Sequence, residues 1–287
     1  MAVLTSCYSF NPCVEGVGSP IEEARDISGF YSVSNSSSFN VYVSQADTFS
    51  VKVVAPENIM PLIETNKTGG TLIVKTREFS CIKNSSSVDV YISLPEIEEL
   101  HLSGSGRLEC AYVNSNELEL STTGSGRIFV DTIFCDDLYI RNTGSGQFDA
   151  TQADALFTSV KLSGSGSIDF EDMITEDIEI QHTSSGNIVG VLNEVSNAEI
   201  TLTGSGRIHI AGDAYDLATN HTSSGRMDLL DFEVVNARTR STGSGDTFVN
   251  VSDLLDVTIT GSGDVLYTGN PVDILSRITG SGTVRPY

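Results

Sequence analysis

Asp149 and Asp169 stand 20 residues apart, each five places beyond the start of a small-residue triplet. Two carboxylates brought to one surface in this way could divide acid and nucleophile roles on a glycosidic bond. A second set is a column seven residues before the next triplet: Glu117, Asp137, Asp177, Asn197, Asp216, Asn236 and Asp273. Oxygen ligands of this kind suit Ca2+, and Asp137, Asp177 and Asp216 are the candidate ligands. The same residue types favour turns, where they bond to local backbone. The nine-residue acidic-glycine signature of calcium-loaded rolls is missing. A third candidate is the pentapeptide "HTSSG" at 182–186 and 221–225. His beside Ser invites a nucleophile–base pair. No acidic partner follows at a matching place in both copies, so a hydrogen-bonded structural histidine is expected.

What must position these residues is a repeat. Triplets with serine in the middle begin at Gly104, Gly124, Gly144, Gly164, Ser184, Gly204, Ser223, Gly243, Gly261 and Gly280, in steps of 18 to 20 residues. A fixed period of this length marks a solenoid, whereas Gly/Ser linkers keep no such time. Four places after each triplet start stand Leu108, Ile128, Phe148, Ile168, Ile188 and Ile208; six places before the next stand Leu118, Leu138, Ile178 and Leu217. Apolar residues spaced by two around polar ones make strands with one buried face. At least two such strands flank each Gly-Ser-Gly corner, and equivalent strands of successive units can pair only in parallel. The expected fold is all-β: a single-stranded right-handed parallel β-helix of about 20 residues per coil.

The glycines would supply positive φ or room for a sharp corner. The serines would stack at about 4.8 Å, bonded to one another or to backbone. A Ser/Thr row just before the triplets, from Ser103 to Thr279, is the only hint of an ice-templating surface. About thirteen coils would give a rod on the order of 60 Å long. His182 and His221, two coils apart, would be separated by roughly 10 Å, too far to share a metal. Residues 1–20 read as a flexible tether and 21–287 as one β-helix domain. Within it, 21–100 form irregular coils and a cap around 45–67, and 101–287 form the regular array.

The formal charge of −22 opposes nucleic acid and anionic lipid, whose contacts depend on Lys and Arg. It favours cations or simple solubility. Only 19% of residues are charged and Trp is absent, so a carbohydrate platform would draw on the nine tyrosines. The five cysteines show no zinc spacing, and Cys110 falls at an inward position. Cys7 ends "LTSC", which resembles the tail of a bacterial lipoprotein signal and makes it the candidate lipidation site.

Residues 27–76 and 88–106 resemble the opening of the head-GIN domain family of autotransporter adhesins. The likeness rests on Gly29-Phe30, "SFNVYV" (38–43), Glu57-Asn58, "GGTLIVKT" (69–76) and "LPEIEELHLSGSG" (94–106), with "QAD" (45–47) as a departure. It covers roughly residues 20–287. The resemblance implies a right-handed parallel β-helix and an adhesin-like role. It also implies export to the envelope of a Gram-negative bacterium, as an outer-membrane surface lipoprotein or a secreted or periplasmic protein. It carries over no catalytic residue. The resulting expectation is a non-enzymatic surface protein presenting a repetitive face to glycan or protein partners. It would take no cofactor unless Ca2+, and would meet membrane only through a lipid anchor. The alternative is a pectinase-like polysaccharide lyase or hydrolase using Asp149 and Asp169 on the same scaffold.

Overall fold

The computed structural model describes residues 13–83 and 87–287, so Cys7 lies outside the described residues. Eight strands form the N-terminal part: β1 (Pro20–Arg25), β2 (Ser32–Asn35), β3 (Asn40–Gln45), β4 (Ser50–Pro56), β5 (Ile63–Thr68), β6 (Thr71–Thr76), β7 (Asp89–Leu94) and β8 (Glu99–Leu102). Eight long strands follow, one per turn: β9 (Arg107–Thr122), β10 (Arg127–Asn142), β11 (Gln147–Leu162), β12 (Ser167–His182), β13 (Asn187–Leu202), β14 (Arg207–His221), β15 (Arg226–Ser241) and β16 (Thr247–Ile259). The last turn holds β17 (Val265–Gly269), β18 (Asp273–Ile278) and β19 (Val284–Pro286). All 19 strands belong to one sheet wound into a parallel β-solenoid.

Each long strand is bent twice. Pairing of β10 with β9 and β11 passes over Asp131 and Asp136, leaving three paired segments, 127–130, 132–135 and 137–142. The coil therefore has three sides and a Gly-Ser-Gly corner, one side more than the two strands flanking the triplets revealed. Ile128 and Val130 point inward from the first side, Ile133 from the second, and Leu138 and Ile140 from the third, all at most 1% exposed. Each such side chain contributes about 1.5–3 kcal/mol by leaving water. In-register pairing stacks it on its counterparts one turn away.

The regular stack has about nine turns rather than thirteen. The difference lies at the N-terminus, where strands do not stack in chain order. β2 lies between β8 and β6, and β3 between β9 and β7. Beyond them the parallel pattern stops: β4 runs antiparallel to β7 and β1, and β5 antiparallel to β6. Residues 50–68 thus close the end of the tube, which covers the sheet edge. Residues 13–17, within the expected tether, are fastened to this end. Cys13 and Cys81 form a disulfide, Asn58 bonds to Val17 and Glu15, and Lys83 pairs with Glu15 at 2.6 Å. A bridge across a sequence separation of 68 residues contributes about 4 kcal/mol by restricting the unfolded chain.

The corners have a different basis from positive φ, which no triplet glycine adopts. A Cβ on Gly164 would lie 1.7 Å from the Gly144 carbonyl oxygen, and one on Gly206 would lie 2.1 Å from His182 Nε2. Both glycines of a triplet admit the backbone carbonyl of the preceding corner, and at Gly206 the third also admits the His182 ring. Backbone bonds such as Ser125 N–H to Gly104 O (3.2 Å) and Ser145 N–H to Gly124 O (3.1 Å) tie corner to corner. Among the middle serines of the described residues, only Ser165 and Ser185 bond hydroxyl to hydroxyl, at 3.4 Å. The backbone, not a serine ladder, closes the stack. Gly164→Ala is expected to lose about 3 kcal/mol, and Ser165→Ala less than about 0.5 kcal/mol. Urea unfolding of both variants checks this, and equal losses would return the corner to the serines.

Candidate functional site

The third side of the coil carries a groove of about 630 Å3 that crosses six strands, β11 to β16. One wall is the column Phe157, Asp177, Asn197, Asp216, Asn236 and Leu254; the other is Glu179, Glu199, Ala218, Arg238 and Asp256. These are neighbouring outward columns. The floor is the inward column between them, Ile178, Ala198, Leu217 and Ala237, each 3% exposed.

The first wall shows how stacked carboxylates are tolerated. Like charges one turn apart, at about 4.8 Å, would repel by about 1 kcal/mol even in water. In this column amides separate them. Asn197 Nδ2 donates to Asp177 Oδ1 at 2.7 Å, and Asn236 Nδ2 donates to Asp216 Oδ1 at 2.9 Å. Each bond is charge-assisted and places the two carboxylates two turns apart. Asp137, the remaining calcium candidate, stacks between Glu117 and Phe157. Among the described residues no group of three or more His, Cys, Asp or Glu side chains is arranged to hold a metal ion. The alternation Asp-Asn-Asp-Asn was present in the sequence as a change of residue type every turn. The facing wall gave no signal, because its residue types follow no rule.

Asp149 and Asp169 are direct partners on β11 and β12, on the outer surface of the first side. Asp149 Oδ2 accepts a 2.6 Å bond from Arg127 Nε. Burial, then the charges of Asp149 and Glu171, push the Asp169 carboxyl above its ordinary value, with Arg127 opposing. The two acids are thus brought together, and one of them is already engaged by a guanidinium.

The two "HTSSG" copies part company. His182 is fully buried, with Nε2 2.7 Å from Gly186 O and Ser184 N–H directed at Nδ1 at 3.3 Å. Asn142 does the same at its corner, accepting from Gly144 N–H at 3.0 Å and donating to Gly146 O at 2.8 Å. Asn35 repeats it, accepting from Ser37 N–H and donating to Phe39 O, both at 3.0 Å. His182 is a corner clamp of the same kind, and "NTGSG" at 142–146 was the signal for it. His221 instead turns Nδ1 to Thr247 Oγ1 at 3.0 Å, and its Nε2 is one of several buried polar atoms without a partner among the described residues. The others nearby are hydroxyls of Thr219, Thr239 and Ser241, which replace apolar residues of the inward columns. Neither histidine meets a hydrolytic arrangement. Among the described residues the two free thiols are held protonated: burial raises Cys110 to about 11, and burial with Asp136, Asp137 and Asp154 raises Cys135 to about 12.

A parallel β-solenoid with a groove built from its own repeat columns is the class of protein this structure defines. The chain belongs to the family described as "putative auto-transporter adhesin, head GIN domain", whose profile matches residues 29–190 and 185–271. No curated protein matches it. A crystal structure described as a "putative lipid binding protein" from Parabacteroides distasonis is 22% identical, covers 96% of this chain and 99% of its own, and superposes with a TM-score of 0.53. A "putative adhesin" from Parabacteroides merdae is 17% identical, covers 96% and 98%, and gives a TM-score of 0.51. Both are similar in fold.

Burial lowers the His221 pKa, with Asp246 opposing. In the unfolded chain the imidazole titrates near 6.5. Below that pH the unfolded state takes up the proton first, so stability present at neutral pH is lost as the pH falls towards the lower folded value. The melting temperature is expected to drop between pH 7 and 5. In His221→Leu, which copies Leu202 of the same column, the drop should shrink. An unchanged pH slope in that variant would assign the effect to the surface carboxylates.

Proposed function

We propose that this protein is a non-enzymatic bacterial surface adhesin that holds a glycan or protein partner along the outer face of its solenoid. The observation that carries this reading is the row of two bonded pairs, Asp177–Asn197 and Asp216–Asn236, in a groove crossing six strands of an adhesin-family chain. A binding face of that form is repeated, whereas an active site usually breaks the pattern that supports it. The Cys13–Cys81 disulfide supports export, since such bonds persist in oxidising compartments. Cys7 is the proposed point of lipid attachment, and Ca2+ the one proposed ion.

The test incubates the protein with acidic and neutral polysaccharides and with bacterial and host cell-surface protein, with and without Ca2+. Retention and new reducing ends or unsaturated products are both measured. Saturable retention without products is expected. Product formation that disappears in Asp149→Asn/Asp169→Asn would replace the adhesin by a lyase or hydrolase. Absence of retention on every surface would leave an envelope spacer.

A further inference from the structure

The chemistry of the groove narrows its occupant. Five carboxylates, Asp177, Glu179, Glu199, Asp216 and Asp256, line it with one guanidinium, Arg238, which pairs with Asp256 at 3.7 Å. An anionic chain would meet repulsion along the whole trough. A run of ammonium groups would be attracted to the acids, yet it would meet Asn197 and Asn236 at alternate turns and Arg238 in the opposite wall. The ladder therefore does not maximise negative charge.

What it repeats is a pair: a carboxylate, which only accepts, followed by an amide, which donates and accepts. Within each pair one amide hydrogen and one carboxylate oxygen are used by the internal bond. Each pair thus leaves one carboxylate oxygen, one amide hydrogen and the amide oxygen outside that bond. Groups that both donate and accept at short intervals complement such a row, and sugar hydroxyls do so. Phe157 adds an aromatic ring at one end of the same wall, whose negative face suits the C–H surface of a sugar ring. A trough of about 24 Å across six strands, open along its length, suits a chain better than a single small molecule.

We infer that this groove binds a neutral polysaccharide lying parallel to the solenoid axis, with hydroxyls of alternate sugars on the Asp177–Asn197 and Asp216–Asn236 pairs. This rests on the adhesin reading and gives it a face and a ligand class. Calorimetric titration with cellohexaose, xylohexaose and mannohexaose is compared with hexagalacturonate and hexalysine. At least one neutral hexasaccharide is expected to bind, and hexagalacturonate is not. Asp216→Ala should weaken that binding about tenfold, the loss of one or two hydrogen bonds to a charged group. Asn197→Asp/Asn236→Asp keeps side-chain size, removes the amide donors and should weaken it at least as much. Asn187→Ala, exposed on the first side, should change nothing.

Neutral binding untouched by both groove variants would move the site to another face and leave the adhesin reading intact. Tightest binding to hexalysine would make the occupant a cationic chain and overturn the inference. Failure to bind any hexasaccharide would overturn it too, while partner capture from whole surfaces would still decide the broader reading separately.

Discussion

Successive corners of this solenoid approach so closely that a single carbon does not fit between them. The Gly164 position, 1.7 Å from a neighbouring carbonyl oxygen were it to carry a Cβ, is representative of the eight corners that begin with glycine. That approach sets the pitch of the stack at the backbone spacing of a parallel sheet. Everything else follows from keeping register: each inward side chain stacks on its counterpart one turn away, and outward columns become rows. A row that must repeat its position every turn can vary only in residue type. The groove wall shows both the constraint and the freedom it leaves.

The interior answers the same constraint. Where a corner needs its polar backbone bonded, one buried side chain supplies an acceptor two residues on and a donor four residues on. Asn35, Asn142 and His182 do this with different chemistry. Thr219, His221, Thr239, Ser241 and Thr247 depart from the apolar rule within three consecutive strands. They mark the turns whose interior depends least on apolar burial.

Much of the fold was legible because the repeat states it many times. The triplet phase fixed which residues face inward, and Leu108, Ile128 and Leu138 all do. The third side was obscured because its bends, at residues such as Asp131 and Asp136, carry no glycine or proline and are continuous with strand on either side. The Cys13–Cys81 bridge was invisible because sequence spacing says nothing about two residues brought together by a folded cap. The N-terminal stacking order was unreadable because "NSSSFNVYV" and "TGGTLIV" look alike whether they stack in chain order or not. For the site, the acidic column was visible, but its pairing required knowing which side chain bends to which neighbour. The opposite wall, with Ala218 beside Arg238, follows no period at all.

The interleaving of β2 and β3 has a temporal meaning. Both edges of β2 are occupied only when residues 71–74 and 99–102 are present, and both edges of β3 only when 89–94 and 107–110 are. A chain threaded from its N-terminus therefore cannot finish its first turn until more than a third of its length has emerged. Until then its earliest strands have no completed surface on which to settle, and contacts of long sequence separation form slowly. The later turns, each resting on the one just made, can add one after another. The geometry at the closed end thus imposes a delay before a progressive winding.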